Sequence, residues 1–207
     1  MPNNCHLTKV PEIEPLTSKE INILLKFQNL WIEIVHWVRS YYHTVFGNLP
    51  EQRSIGARLF VELPMDLNNE FKKYFTEEEA QKFGDISSRF ITINWQLVNS
   101  YKSEDKISID LSTAEYYRIA DEFAAFLASV NEYYDEAHLK ELFYDHVRLK
   151  IAEINTLLSG DYDLEMKVFG ELADTAAYIG IYMALGIIAK RRDHSLNTMR
   201  NRCLYHR

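Results

Sequence analysis

At 207 residues, with 47% hydrophobic and 26% charged side chains, the chain is long enough to bury one core, and its composition excludes a disordered or collagen-like polymer. A net charge of −7 sets most of the surface against nucleic-acid phosphates and anionic membranes. The charge is uneven: Lys190, Arg191, Arg192, Arg200, Arg202 and Arg207 stand against Asp193 alone, leaving 17 basic and 29 acidic residues before them.

From the N-terminus, Met1 to Leu16 contains one lysine, two glutamates and no apolar run, which fits neither a secretory nor a lipidation signal. Thr17 with Glu20, Thr76 with Glu79 and Ser112 with Glu115 each read as a capping box, a hydroxyl and a carboxylate placed where free backbone N–H groups need acceptors. Stops are expected at Gly47-Asn48-Leu49-Pro50, at Leu63-Pro64, in the polar stretch from Lys102 to Asp110, at Asn131 and at Ser159-Gly160. Helices are therefore predicted at about 18–46, 50–62, 66–74, 77–101, 112–130, 135–159 and 162–192. Only Lys106 to Leu111 alternates like a strand, and one such segment cannot build a sheet. The predicted fold is all-α, an antiparallel helical bundle of about five long helices with short connecting helices. Residues 1–16 form an N-terminal extension, 17–192 one bundle domain and 193–207 a basic C-terminal tail.

The first helix has two apolar rows at heptad spacing, Leu24, Gln28, Trp31, Val35, Val38, Tyr42, Val45 and Ile23, Phe27, Leu30, Ile34, Trp37, Tyr41. A third row, Asn22, Lys26, Asn29, Glu33, His36, Ser40 and His43, is polar throughout and should face solvent. On the last helix, Ala173, Ala177, Gly180 and Ala184 form a small-residue row that lets another backbone approach closely; intrachain packing is the economical reading and a homodimer face the alternative. The longest uncharged apolar stretch, Thr175 to Ala189, falls short of the roughly 20 residues that cross a bilayer, so a cytoplasmic protein without a membrane span is expected. Cys5 and Cys203, in opposite terminal segments, have neither metal nor redox spacing and read as free thiols.

Glu33 and His36, at i and i+3, carry the strongest chemical signal. Bundles that hold two iron or manganese ions use Glu-x-x-His on two helices and a lone Glu on each of two more. The nearest second copy, Asp135 with His138, places its acid at an expected helix N-cap. On the predicted 135–159 helix, Phe143, Val147, Ile151, Ile154 and Leu158 form the expected core stripe, with His146, Lys150 and Glu153 beside it. His146 and Glu153 point the same way, but the Lys150 ammonium between them repels a cation, and a flanking ion pair is the simpler account. Lone carboxylates elsewhere are Asp85, Asp121 or Glu122, and Asp174. The seven glycines are never closer than six residues apart, so no phosphate-cradling loop is present, nor is there a G-x-S-x-G elbow. Tyrosine pairs at 41/42, 116/117 and 133/134 should each divide into one core and one rim residue.

The segments Leu30-Trp-Ile-Glu-Ile-Val-His-Trp-Val-Arg39, Ala120-Asp-Glu-Phe-Ala-Ala-Phe-Leu-Ala-Ser-Val-Asn131 and Leu142-Phe-Tyr-Asp-His-Val-Arg148, followed by Glu153, resemble a family of uncharacterised helical-bundle proteins from clostridia and related Firmicutes. The resemblance covers roughly residues 20–190. Some members carry the label acetylglutamate kinase, which calls for an α/β fold with glycine-rich phosphate loops, and this chain has neither. The resemblance implies acids and histidines on the third long helix and acids on the last; this chain has Arg89 and Phe90, and Tyr178 and Ile181, there, while Glu33, His36, His146 and Glu153 match. Two functions are expected from these residues: a non-enzymatic module that binds a partner protein or a small apolar ligand, or a ferritin-like or hemerythrin-like protein holding iron or manganese through Glu33, His36, His146 and Glu153 for redox or oxygen chemistry.

Overall fold

A computed structural model describes residues 15–204, with side chains described through residue 193; Cys5 and the side chains of Cys203, Arg200, Arg202 and Arg207 lie outside the described residues. The helices are α1 (Ser18–Gly47), α2 (Gln52–Ala57), α3 (Leu63–Phe71), α4 (Glu77–Lys102), α5 (Lys106–Val130), α6 (Glu136–Ser159) and α7 (Tyr162–Leu204), with one turn of π-helix, Arg58–Glu62, joining α2 to α3. Among the described residues there is no strand, and the all-α bundle is the fold.

Local chemistry places most of the ends. Thr17 and Thr76 each accept a hydrogen bond from the backbone N–H three residues on, and Glu20 and Glu79 return one to the cap. Asn48, with φ 51°, and Gly160, with φ 71°, end α1 and α6 in the left-handed conformation that lets the last carbonyls find donors. The third expected box fails. Asp105 accepts from Ile107 and Ser108 N–H and starts α5 six residues before the expected start at 112, so Lys106 to Leu111 is helical and Ser112 lies buried inside the helix. Leu63-Pro64 is not a stop either: the backbone stays helical through Glu62 and Leu63, and the π turn Arg58–Glu62 lies directly before the proline. In the π turn, Leu63 N–H reaches back to Arg58 C=O. Leu59, Leu63 and Leu67, all buried, are spaced by four, more than the 3.6 residues of an α turn, and the wider turn takes up the drift that this spacing accumulates.

Around the bundle, α1 packs on α7, α7 on α6, α6 on α5 and α5 on α4, and α4 returns to α1. The consecutive long helices from α4 to α7 run antiparallel. So do α1 and α7, since Glu20 meets Arg192 and Arg39 meets Glu165. α1 and α4 run parallel: Lys102 donates to Val45 C=O and to Asn48 Oδ1 at their shared C-terminal end. Both apolar rows of α1 are buried except at half-buried Leu24, Gln28 and Trp37, while the polar row is exposed or half-buried along its length. Each Leu, Ile or Phe fully covered in this way contributes roughly 1.5–3 kcal/mol.

The segment Tyr162–Asp193 is long and apolar enough to cross a membrane, and half of its most apolar window is buried inside the bundle. Leu172, Ala176, Ile179, Met183 and Ile187 on it are core residues. Within the small-residue row, a Cβ at Gly180 would lie 2.6 Å from Phe27 O and 2.7 Å from Gln28 Cα, so α1 occupies that notch. The helix expected to end at 192 continues to Leu204, and the boundary drawn there falls inside a continuous helix. Of the tyrosine pairs, 116/117 and 133/134 divide as expected, whereas Tyr41 and Tyr42 are both buried.

Candidate functional site

The four residues expected to share a metal do not converge. Glu33, with a 45% exposed side chain, accepts at 2.6 Å from Arg58, which also reaches Asp66 at 2.8 Å and Glu62 at 3.3 Å. His36 is exposed, its Nδ1 lies 2.9 Å from the Ile32 carbonyl, and its ring meets Phe169 edge-on. His146 and Glu153 are instead 1% and 0% exposed. Among the described residues, no group of three or more His, Cys, Asp and Glu side chains is placed to hold a metal ion. The lone carboxylates are elsewhere: Asp85 and Asp174 face solvent, Asp121 accepts from Lys140, and Glu122 accepts from Arg89. Asp135 caps α6, accepting from His138 N–H at 2.7 Å.

The expected core stripe of α6 is rotated by part of a turn. Phe143, Val147 and Ile154 are buried, but Ile151 is half-buried and Leu158 is 49% exposed; His146, Lys150 and Glu153 take the interior positions. The flanking ion pair is thus a core ion pair. Lys150 Nζ donates to Glu153 Oε2 at 2.9 Å and to the Val35 carbonyl at 3.5 Å, and sits 5.5 Å from the Tyr42 ring centroid. Burial pushes the Lys150 amine down and the Glu153 carboxyl up, each opposed by the attraction of its partner. A second pair joins α1 to the first turn of α7: Arg39 donates through Nε and Nη2 to both oxygens of buried Glu165, at 2.6 and 2.8 Å. The enclosed Lys150 and Glu153 therefore compensate one another, and half-buried Arg39 compensates enclosed Glu165 from the rim of the bundle.

Hydrogen bonds extend this polar core across three more contacts. Tyr42 donates to Asn94 Oδ1, and Asn94 Nδ2 donates to the Ile91 carbonyl at 3.0 Å and to Tyr116 Oη at 3.1 Å, linking α1, α4 and α5. Burial pushes both phenols up, so both stay neutral at pH 7, Tyr42 donating to Asn94 and Tyr116 accepting from it. His146 is packed among aromatics, with Phe90 and Trp31 ring centroids at 5.4 and 6.1 Å. Burial first, and the Lys150 ammonium second, push its imidazole down to about 3, so it is neutral at pH 7. Its Nδ1 and Glu153 Oε1 make no protein hydrogen bond.

A lysine of lowered pKa beside a carboxylate is a known arrangement for a nucleophile or base. Here both side chains are 0% exposed and Lys150 is tied to a carboxylate and a carbonyl, so the cluster fixes helix register and offers no face to a substrate. What the surface does offer lies beside Trp95, on the α4 side opposite the core. The indole is 48% exposed and separates two open clefts. One, about 460 Å³, has Tyr41, Leu49, Pro50 and Phe60 among its walls; the other, about 430 Å³, is lined by Gln96, Asn99, serines and Leu111, with no charged side chain. Leu49, Leu111 and, one turn before Leu111, Ile107 are 45%, 65% and 74% exposed. Composition alone could not single out Trp95; the one available signal was an aromatic on the opposite face of α4 from Phe83, Phe90 and Leu97.

No family model matches the chain, and neither a curated protein nor a solved structure is similar to it.

Proposed function

We propose that this chain is a non-enzymatic interaction module that docks an uncharged, apolar segment of a partner protein on the face around Trp95. The observation that carries the reading is the half-exposed indole standing between two clefts, one of them lined wholly by uncharged side chains. A half-exposed tryptophan bordered by a cleft without charged side chains has the composition of an interface centre, where aromatic anchors supply most of the binding energy, and Arg53 is the one charged residue lining the other cleft. The Gln96 amide can pair with a partner's backbone, whereas Asn99, Ser103 and Ser108 donate within the chain, to Trp95, Asn99 and Asp105, which leaves the two hydroxyls only acceptor lone pairs. The compensated polar core supports the same reading, since its charged groups are engaged with one another. The small-residue face of α7 is the weaker place for a partner, because Gly180 already receives the α1 backbone.

The test is a selection of displayed peptides against the folded chain, with Trp95→Ala as the counter-target and sedimentation run in parallel to detect self-association. Apolar peptides that bind the wild type and lose about tenfold or more in affinity to Trp95→Ala are expected, a loss of roughly 1.4 kcal/mol. Peptides that bind the two proteins equally, or no enrichment over the variant, overturn the reading.

A further inference from the structure

Toward the other end of α1, about 30 Å from Tyr41 at 1.5 Å per residue, lies a cleft of opposite character. It has a volume of about 430 Å³ and is formed by the first turns of α1, the end of α3 and the distal part of α7. Four cations line it, Lys19, Lys26, Lys73 and Arg191, together with Tyr74 and one carboxylate, Glu70. Glu70 is 4% exposed and already engaged: it accepts from Lys73 Nζ at 2.6 Å and from Tyr74 Oη at 3.0 Å. Glu20, on the first turn of α1, is held by Arg192 at 2.6 Å and by the α1 cap. Among the described residues, Lys19, Lys26 and Arg191 therefore have no carboxylate within ion-pair distance, on a chain whose net charge is −7.

The three consecutive cations of α7 show why Arg191 in particular calls for an explanation. A cation near a helix C-terminus is ordinarily accounted for by the helix dipole, but that effect fades within the last turn, and α7 continues more than three turns beyond Arg191. Lys190 donates to the Val130 carbonyl at 2.8 Å and so caps the end of α5. Arg192 binds Glu20. Arg191 does neither, and its guanidinium stands 5.7 Å from the Tyr74 ring centroid, which holds the planar fork at the cleft wall. On α1, Lys19, Asn22 and Lys26 follow at i, i+3 and i+7 and so share one face, with the two ammonium groups about 10 Å apart along the axis.

We infer that this cleft is a binding site for a small phosphorylated ligand carrying at least two negative charges. Arg191 supplies the bidentate fork that matches a phosphate, Lys19 and Lys26 supply compact charge on the opposite wall, Asn22 supplies a neutral donor, and Tyr74 supplies an apolar surface for the rest of the molecule. Glu70 neutralises Lys73 and leaves an excess of three positive charges. The ligand chemistry is shared by a free phosphate ester and by a phospholipid headgroup.

The experiment titrates the full chain with inorganic tripolyphosphate by calorimetry, for wild type, Arg191→Glu, Lys26→Glu and, as a control of equal charge change on exposed α7 surface away from the cleft, Lys167→Glu. Circular dichroism checks that each variant keeps its helices. Saturable binding that weakens at least about tenfold in both cleft variants but changes little in Lys167→Glu is the expected result. A second arm uses vesicles of phosphatidic acid, whose phosphomonoester headgroup can carry two negative charges, in phosphatidylcholine. Vesicle binding that tripolyphosphate competes away and Arg191→Glu abolishes assigns the site to a lipid headgroup; a cleft that binds tripolyphosphate and ignores vesicles assigns it to a free phosphate ester. Absence of saturable binding, or an equal loss in Lys167→Glu, overturns the inference.

Discussion

Two helices of this bundle carry an acid and an imidazole on one face, and the fold treats them in opposite ways. Glu33 and His36 of α1 face solvent, where Arg58 draws Glu33 into a surface network with Glu62 and Asp66. His146 and Glu153 of α6 face inward with Lys150 between them. The difference lies in what else each helix has to bury. α1 has two complete apolar rows and can leave its polar row wet, whereas α6 has to meet Trp31, Tyr42 and Phe90 of its neighbours with a face on which His146, Lys150 and Glu153 alternate with Phe143 and Val147. Burial is decided by the whole face of a helix and its neighbours; the chemistry of one residue does not decide it.

The largest effect should come from cutting the buried pair. Glu153→Leu leaves Lys150 without its carboxylate, and a loss of about 3–5 kcal/mol is expected in urea denaturation. A loss below about 1 kcal/mol would mean that the pair is not enclosed as described. Next comes pH. The folded state holds His146 neutral down to about 3, while the unfolded chain takes up the proton near 6.5, so this contribution to stability is complete above pH 6.5 and declines as pH falls toward 3. Between pH 6.5 and 5, above the range where most carboxylates titrate, the decline should amount to about 2 kcal/mol. His146→Leu should flatten that part of the curve, and an unchanged slope would place the imidazole in contact with water. Replacing both partners, Lys150→Met with Glu153→Leu, should return stability to within about 1 kcal/mol of the wild type or above it, because an apolar pair avoids the desolvation of two charges; additive losses in the double-mutant cycle would count against a paired arrangement. The smallest effects belong to α1: Glu33→Ala and His36→Ala should each change stability by no more than about 0.5 kcal/mol, since Arg58 keeps two other carboxylates. A large loss at His36 would show that the outward face of α1 carries more than packing accounts for.

The sequence made the bundle itself legible, because Thr17 with Glu20, Thr76 with Glu79, Asn48 and Gly160 act through local geometry that a few neighbouring residues determine. Ser112 with Glu115 has the same spacing and fails, since Asp105 caps the helix first; the motif records what a backbone can use and not which of two competing caps it uses. The strand-like alternation from Lys106 to Leu111 misled for a related reason: Ile107 and Leu111 lie on an exposed face, so their spacing reports no core. At the interior site, Lys150 and Glu153 at i and i+3 look the same whether wet or dry, and only the neighbouring helices distinguish the two cases. The basic cleft was still less visible, as Lys19, Lys26, Lys73 and Arg191 come from three separate elements that only the folded chain brings together.

The π turn at Arg58–Glu62 bears on how this chain tolerates changes in length. A wide turn is what an α-helix becomes when it gains one residue while both of its ends stay anchored. Deleting a single residue there would restore ordinary α geometry and leave α2 and α3 in their present register. An insertion or deletion in the 103–105 link between α4 and α5 alters a connection whose residues are exposed. Homologous chains aligned with this one should therefore show single-residue gaps inside residues 58–62 as well as changes of length at that link.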